Sequence, residues 1–184
     1  MIYYIPNLLT CIRIFIIPML VWAYYFPPDY WGMPVAAVLF GFASLTDWLD
    51  GYLARRLNQV SKLGAFLDPI ADKLIVVTVL VVIVDAHGHL SILIPSLIII
   101  AREIVVSGLR EWMSELGRRE SVAVSMVGKL KTAVQMLALF LILYYHPVFG
   151  LPVFEIGVWL LNVAATLTLW SMVIYIRRAM MSAG

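Results

Sequence analysis

Four aspartates dominate the chemistry available to this chain. Asp47 and Asp50 are three residues apart, and Asp68 and Asp72 are four apart. On helices those offsets put each pair on one face. Two such helices joined as a hairpin can bring four carboxylates together. Four bare carboxylates in so apolar a chain repel one another and lose hydration, so a compensating charge is required. Hard divalent cations with all-oxygen coordination answer that need, and Mg²⁺ or Mn²⁺ then takes phosphate oxygens to complete its shell. Gly51 and Gly64 leave room for a ligand or another backbone to approach. Arg55 and Arg56, one turn beyond Asp50, can pair with phosphate oxygens. The stretch from Asp47 to Asp72 therefore reads as a metal-and-phosphate site.

The elements that must position these residues are apolar helices. Hydrophobic residues make up 63% of the 184-residue chain and charged ones 13%, about half the charged share of soluble domains. Six apolar runs each approach the roughly 20 residues needed to cross a bilayer: Leu8–Phe26, Met33–Asp50, Pro69–Asp85, Ser91–Leu109, Val127–Tyr145 and Phe154–Ile176. Pro27, Pro28, Gly32, Gly88, Gly117, Pro147, Gly150 and Pro152 mark the turns. This predicts an all-α integral membrane protein with six transmembrane helices in a single domain, residues 1–184. The start, M-I-Y-Y-I-P-N, lacks the basic opening and cleavage site of a secretory signal, so the first run is expected to be retained.

Basic residues set the orientation. Arg55, Arg56, Lys62, Arg118, Arg119, Arg177 and Arg178 fall on one side, whereas the three opposite connections carry no Lys or Arg. Both termini and the aspartate site, at the ends of helices 2 and 3, are thus expected to face the cytoplasm. The chain reads as a multi-pass protein of the cytoplasmic (inner) membrane. A net charge of +2 gives no reason to expect nucleic acid as a partner.

Several charges lie inside the apolar runs, where they are expensive and point to function. Asn7, Thr10 and Arg13 share a face of the first run, as a wall of a nucleotide pocket or as a polar start with Arg13 snorkelling to headgroups. Lys73, next to Asp72, can balance the carboxylates or snorkel. Arg102 and Glu103 can neutralise each other or partners on neighbouring helices. Arg110 lies eight residues beyond Arg102, on roughly the same side and about 12 Å along the axis. Lys129, Lys131 and Thr132 open the fifth run as a basic entrance: membrane anchoring, or an anion site for an acceptor that itself carries a phosphate.

Written as a pattern, the central stretch is D-x2-D-G-x2-A-R-x8-G-x3-D-x3-D. It resembles the signature of the CDP-alcohol phosphotransferase family, with all eight fixed positions filled. The segments A-R-E-I…L-R-E and V-A-V-S-M-V-G-K-L-K-T resemble the bacterial phosphatidylglycerophosphate synthases of that family. The resemblance implies CDP-diacylglycerol and sn-glycerol 3-phosphate as substrates, two divalent cations (Mg²⁺ or Mn²⁺) as cofactors, and a homodimer in contact with membrane lipid. It implies Asp47, Asp50, Asp68 and Asp72 as metal ligands and Asp72 as the general base. Asn7, Thr10, Arg13, Gly51, Ala54, Arg55 and Gly64 would line the CDP-lipid pocket. Arg110, Lys129, Lys131 and Arg102 would hold the acceptor phosphate.

The rival readings keep the chemistry with another acceptor (inositol phosphate, serine or phosphatidylglycerol), or make the carboxylates a divalent-cation transport site. Carboxylates at helix ends argue against transport, whose sites lie near the bilayer midplane. A lipid pyrophosphatase, attacking with water, has no need of the basic cluster. His87 and His89 are expected in a surface turn, and His146 at an interface. Trp22, Trp31, Trp159 and Trp170 fit an interfacial belt and lipid-facing packing. The single cysteine, Cys11, is expected to pack as a small hydrophobe.

Overall fold

The computed structural model describes residues 5–57, 62–115 and 126–183. These residues form six α-helices and no strand: α1 (Ile5–Tyr25), α2 (Asp29–Leu57), α3 (Lys62–His87), α4 (Leu90–Glu115), α5 (Met126–Tyr144) and α6 (Val153–Ala183). Each apolar run coincides with one helix, but α2, α3, α4 and α6 outlast their runs. α2 continues seven residues past Asp50, and α3 starts six residues before Asp68. Main-chain hydrogen bonding carries a helix on through polar residues, where hydropathy gives no sign of it. The site aspartates accordingly lie within the last three turns of α2 and the first three of α3, not at the terminal residues. Pro18, Pro34, Pro69 and Pro95 also lie within helices, as apolar surroundings and neighbouring helices permit.

The chain divides into two compact units. The first contains residues 1–83 and 140–155. Here α1 and α2 pack against each other across the short Pro27-Pro28 turn. Ala36, Ala37 and Ala43 of α2 are fully buried, as expected where small residues let helices approach closely. Gly32, read from sequence as a turn marker, lies inside α2. Its role is the close approach: a Cβ there would lie 2.6 Å from the Ala23 carbonyl oxygen of α1. The α5–α6 turn is closed by an antiparallel bridge between Val148 and Leu151. Tyr145 (φ 63°), Phe149 (φ 50°) and Gly150 (φ 78°) occupy the left-handed region in it.

The second unit contains residues 84–139 and 156–184. Ile92, Ile99, Val106 and Met113 recur every seven residues along the buried side of α4. On α6, Leu161, Ala164, Ala165, Thr168, Ser171 and Tyr175 form the matching buried stripe, the spacing of a helix with one packed face. Met113 and Tyr175 meet in a small core with Leu109. Asn162 of α6 donates a 2.9 Å hydrogen bond to the Ser91 carbonyl of α4.

Much of the remaining surface is apolar. Phe15, Trp22, Trp31, Trp159 and Trp170 are all well exposed, the outward face expected of helices solvated by lipid. α4 over Leu90–Met113 and α6 over Val153–Arg177 are each long and apolar enough to cross a bilayer. The apolar stretches Thr10–Tyr25, Tyr30–Thr46 and Leu130–Tyr144 are shorter among the described residues.

Candidate active site

In the first unit, α1 and α3 are joined by polar side chains spaced to match. Thr10 and Arg13, one turn apart on α1, are buried. The Thr10 hydroxyl donates to Asp68 Oδ1, and Arg13 Nη1 forms an ion pair with Asp72 Oδ1. The three-residue step on α1 thus meets the four-residue step on α3, and the order of the pairs makes these helix segments run in the same direction. The Arg13 guanidinium is nearly inaccessible, whereas the Asp72 side chain is 41% exposed. One end of the pair is therefore anchored, while the carboxylate still reaches the surroundings. Pro69, between the two aspartates, supplies no main-chain N–H to the helix, and Gly64 is buried on the same helix.

These contacts change the reading of two sequence-predicted residues. Thr10 and Arg13 hold the aspartates directly. Lys73, the neighbour offered as a charge balance, is exposed. Asp47, Asp50, Gly51, Ala54 and Arg55 lie on the last three turns of α2, and Asn7 lies on α1. The side chains of these six lie outside the described residues, as do those of Arg56 and Lys129. Among the described residues no three His, Cys, Asp or Glu side chains gather in a metal-binding group.

In the second unit, Arg102 and Lys131 are buried charges from α4 and α5. They share one carboxylate oxygen: Glu103 Oε1 accepts from Arg102 Nη1 at 2.7 Å and lies 3.5 Å from Lys131 Nζ. Both alternatives that the sequence offers for Glu103, its neighbour and a neighbouring helix, are realised at once. Ser107 Oγ donates back to the Glu103 carbonyl at 2.5 Å. Arg110 reaches α6, with Nη2 3.5 Å from the Tyr175 hydroxyl and its guanidinium carbon 5.8 Å from the ring centroid. Two buried cations thus share one carboxylate, and Arg110 lies further along α4. Buried positive charge in excess is costly unless an anion joins it, and Arg102 Nε is buried with no hydrogen-bond partner among the described residues. Tyr175 gave no signal in the sequence, where the aromatic residues read as a membrane belt.

The histidines take no part in either cluster. His89 is exposed, and His87 is half-buried at the end of α3. Burial, then the neighbouring His89, lowers the His87 pKa from its ordinary 6.5. His146 sits among the rings of Tyr30, Tyr144 and Tyr145.

Comparison with known proteins bears on the same segments. Residues 3–175 match the CDP-alcohol phosphatidyltransferase family. A protein of Pseudomonas fluorescens is 50% identical over 176 residues, covering 95% of this chain and 89% of its own. Proteins of Pectobacterium atrosepticum and Salmonella choleraesuis are 48% and 47% identical over 175 residues, covering 95% of this chain and 94% of theirs. All three carry the name CDP-diacylglycerol–glycerol-3-phosphate 3-phosphatidyltransferase.

Proposed function

Because the chain belongs to the CDP-alcohol phosphatidyltransferase family, we infer that it carries the activity its relatives are named for. It transfers the phosphatidyl group of CDP-diacylglycerol to sn-glycerol 3-phosphate, giving phosphatidylglycerophosphate and CMP. The C1 hydroxyl of the acceptor attacks the phosphorus that bears the lipid. A phosphorus–oxygen bond forms to the acceptor as the bond to CMP breaks, and the hydroxyl proton passes to Asp72. Arg13 orients that carboxylate through its ion pair, and Thr10 does the same for Asp68. Gly51, Ala54, Arg55, Gly64 and Asn7 complete the CDP-lipid pocket.

The observation that carries the acceptor assignment is the buried cationic cluster of α4 and α5. Arg102 and Lys131 share Glu103, and their surplus charge suits a phosphate dianion. Arg110 and Lys129 join them in holding it. An uncharged acceptor would leave that surplus uncompensated in an apolar protein.

Asp68 and Asp72 present oxygen ligands one turn apart, and a carboxylate has about four acceptor positions. The bond from Thr10 leaves Asp68 capacity for a cation, so the described half of the donor set fits Mg²⁺ or Mn²⁺. Asp47, Asp50, Asp68 and Asp72 would hold two such ions, which when bound neutralise the pyrophosphate and the departing CMP. The same reading makes residues 1–184 one membrane domain with six spanning helices, in the cytoplasmic membrane and paired as a homodimer. Its termini and catalytic aspartates face the cytoplasm.

The test is CMP release from CDP-diacylglycerol by the purified chain in detergent with Mg²⁺. Glycerol 3-phosphate, inositol phosphate, serine and no acceptor are compared in parallel. Release is expected with glycerol 3-phosphate alone. Asp72→Asn should lower kcat by about 10²–10⁴-fold, the usual worth of a general base. Release with a different acceptor would discard the phosphate assignment, and release without any acceptor would indicate a hydrolase.

A further inference from the structure

One turn along α5 from the cluster of the second unit lies an unsatisfied atom of the opposite polarity. Gln135 lies four residues after Lys131 on α5, so the two share a face about one turn apart. Its side chain is 4% exposed, and its Oε1 has no hydrogen-bond partner among the described residues. Buried polar atoms are seldom left so, and each exception calls for an explanation. The Lys131 ammonium, one turn away, is turned to Glu103 instead. Ser96 Oγ is also buried and unpartnered among the described residues, but it lies six residues before Arg102, about 240° round α4, and so off this face.

The polarity of the orphan atoms sorts their ligands. Arg102 Nε is a donor and suits a phosphate oxygen. Gln135 Oε1 is an acceptor only. It repels a phosphate dianion and requires a donated proton. Beside an anion site, the neutral donor of matching size is a hydroxyl on the carbon next to the phosphate-bearing one. Glycerol 3-phosphate has two hydroxyls. The C1 hydroxyl is consumed in the reaction, and the C2 hydroxyl is the spare.

We propose that Gln135 is a specificity-determining residue, whose buried amide oxygen accepts a hydrogen bond from the acceptor's C2 hydroxyl beside the Arg102–Lys131 phosphate site. This rests on the acceptor assigned above. It explains why a buried, uncharged acceptor atom has no partner among the described residues one turn from Lys131. A site holding such an atom rejects a substrate that lacks the hydroxyl, because the amide oxygen then stays desolvated and unpaired.

The experiment uses the full chain in detergent with CDP-diacylglycerol and Mg²⁺. It compares glycerol 3-phosphate with 3-hydroxypropyl phosphate, which keeps the phosphate and the reacting primary hydroxyl but lacks the C2 hydroxyl. The wild type is expected to prefer glycerol 3-phosphate by about 10- to 100-fold in kcat/KM. Gln135→Met should bring that preference close to one. Gln135→Glu keeps an acceptor oxygen, so it should retain the preference while raising KM for both phosphates. A purely structural Gln135 would lower both substrates together and leave the ratio unchanged. The ratio is read within one preparation, so partial misfolding cancels. If Gln135→Met yields no active protein, the wild type and Gln135→Glu decide. Turnover of both phosphates without discrimination by the wild type, a preference persisting in Gln135→Met, or its loss in Gln135→Glu would each overturn the proposal. Failure of the wild type to use either phosphate, with turnover of a different acceptor, would instead remove the functional reading beneath it.

Discussion

Arg13 and Asp72 are 59 residues apart in sequence, and their pairing decides how the carboxylate of α3 is presented. The guanidinium is buried, so removing Asp72's charge takes an ion pair from a poorly hydrated cation, and removing Arg13 takes one from a carboxylate that is only partly exposed. Breaking one partner of such a pair costs more than deleting both. Arg13→Met should therefore destabilise the protein clearly on its own, and much less when Asp72→Asn is already present. A coupling of about 0.5–3 kcal/mol is expected from thermal unfolding of the four proteins in detergent, as for residues in direct contact. Additive effects would mean that the pair contributes nothing to stability. Sequence spacing placed Asn7, Thr10 and Arg13 on one face and Asp68 and Asp72 on another. It could not tell which faces meet, because helical periodicity describes a single helix while the choice of neighbour depends on packing across the whole unit. Glu103 shows the same limit. Its charge marked it, but only the fold reveals one oxygen serving both Arg102 and Lys131.

At the scale of elements, close approach and helix ends carry the testable content. A Cβ at Gly32 would press on the main-chain oxygen of Ala23 at 2.6 Å, whereas one at Gly41 would meet the edge of the Phe140 ring at 3.3 Å. Backbone cannot yield as a side chain can. Gly32→Ala should cost about 1–3 kcal/mol, the range for overpacking, and Gly41→Ala should cost distinctly less. Equal melting temperatures for the two variants would dismiss the close contact between α1 and α2. At the other end of α3, His87 has a pKa lowered from 6.5, first by burial and then by the charge of His89. Between that lowered value and 6.5 the unfolded chain binds more protons than the folded one, so stability rises with pH across the window and is lost on acidification. Thermal stability should thus fall as pH drops below about 6.5, and His87→Gln should remove part of the slope. An unchanged slope would show that other groups set it. The helices themselves were legible because each is built around one apolar run. Their ends were not, since α2 and α3 continue into polar sequence where hydropathy goes silent. The turn marker Gly32 misled for a related reason: a glycine where chains turn and a glycine where helices touch look alike in sequence.

For the whole molecule, the proposed topology assigns each connection a side of the membrane, and two independent features support the alternation on which it rests. The ladder of Thr10 with Asp68 and Arg13 with Asp72 makes α1 and the first part of α3 run in the same direction. That is the alternation expected of successive crossings. The connections at Pro27–Gly32, Asp85–Leu90 and His146–Pro152 carry no Lys or Arg, while those on the other side carry Arg55, Arg56, Lys62, Arg118 and Arg119. Positive residues are retained in the cytoplasm, and the six crossings proposed above would return the C-terminus to the side of the N-terminus. Labelling with a membrane-impermeant maleimide tests this directly once Cys11, the single cysteine, is replaced by serine. Phe149 stands fully exposed in the α5–α6 turn, so Phe149→Cys should label in intact cells. Arg119→Cys, between α4 and α5 in sequence, should label only after the membrane is opened. The reverse pattern would put the aspartates on the outside, away from the cytoplasmic pools of nucleotide and glycerol 3-phosphate that the proposed reaction draws on, and would count against the reaction as well as the topology. Labelling of both positions in intact cells would break the even-crossing count and require one of the shorter apolar helices to turn back within the bilayer.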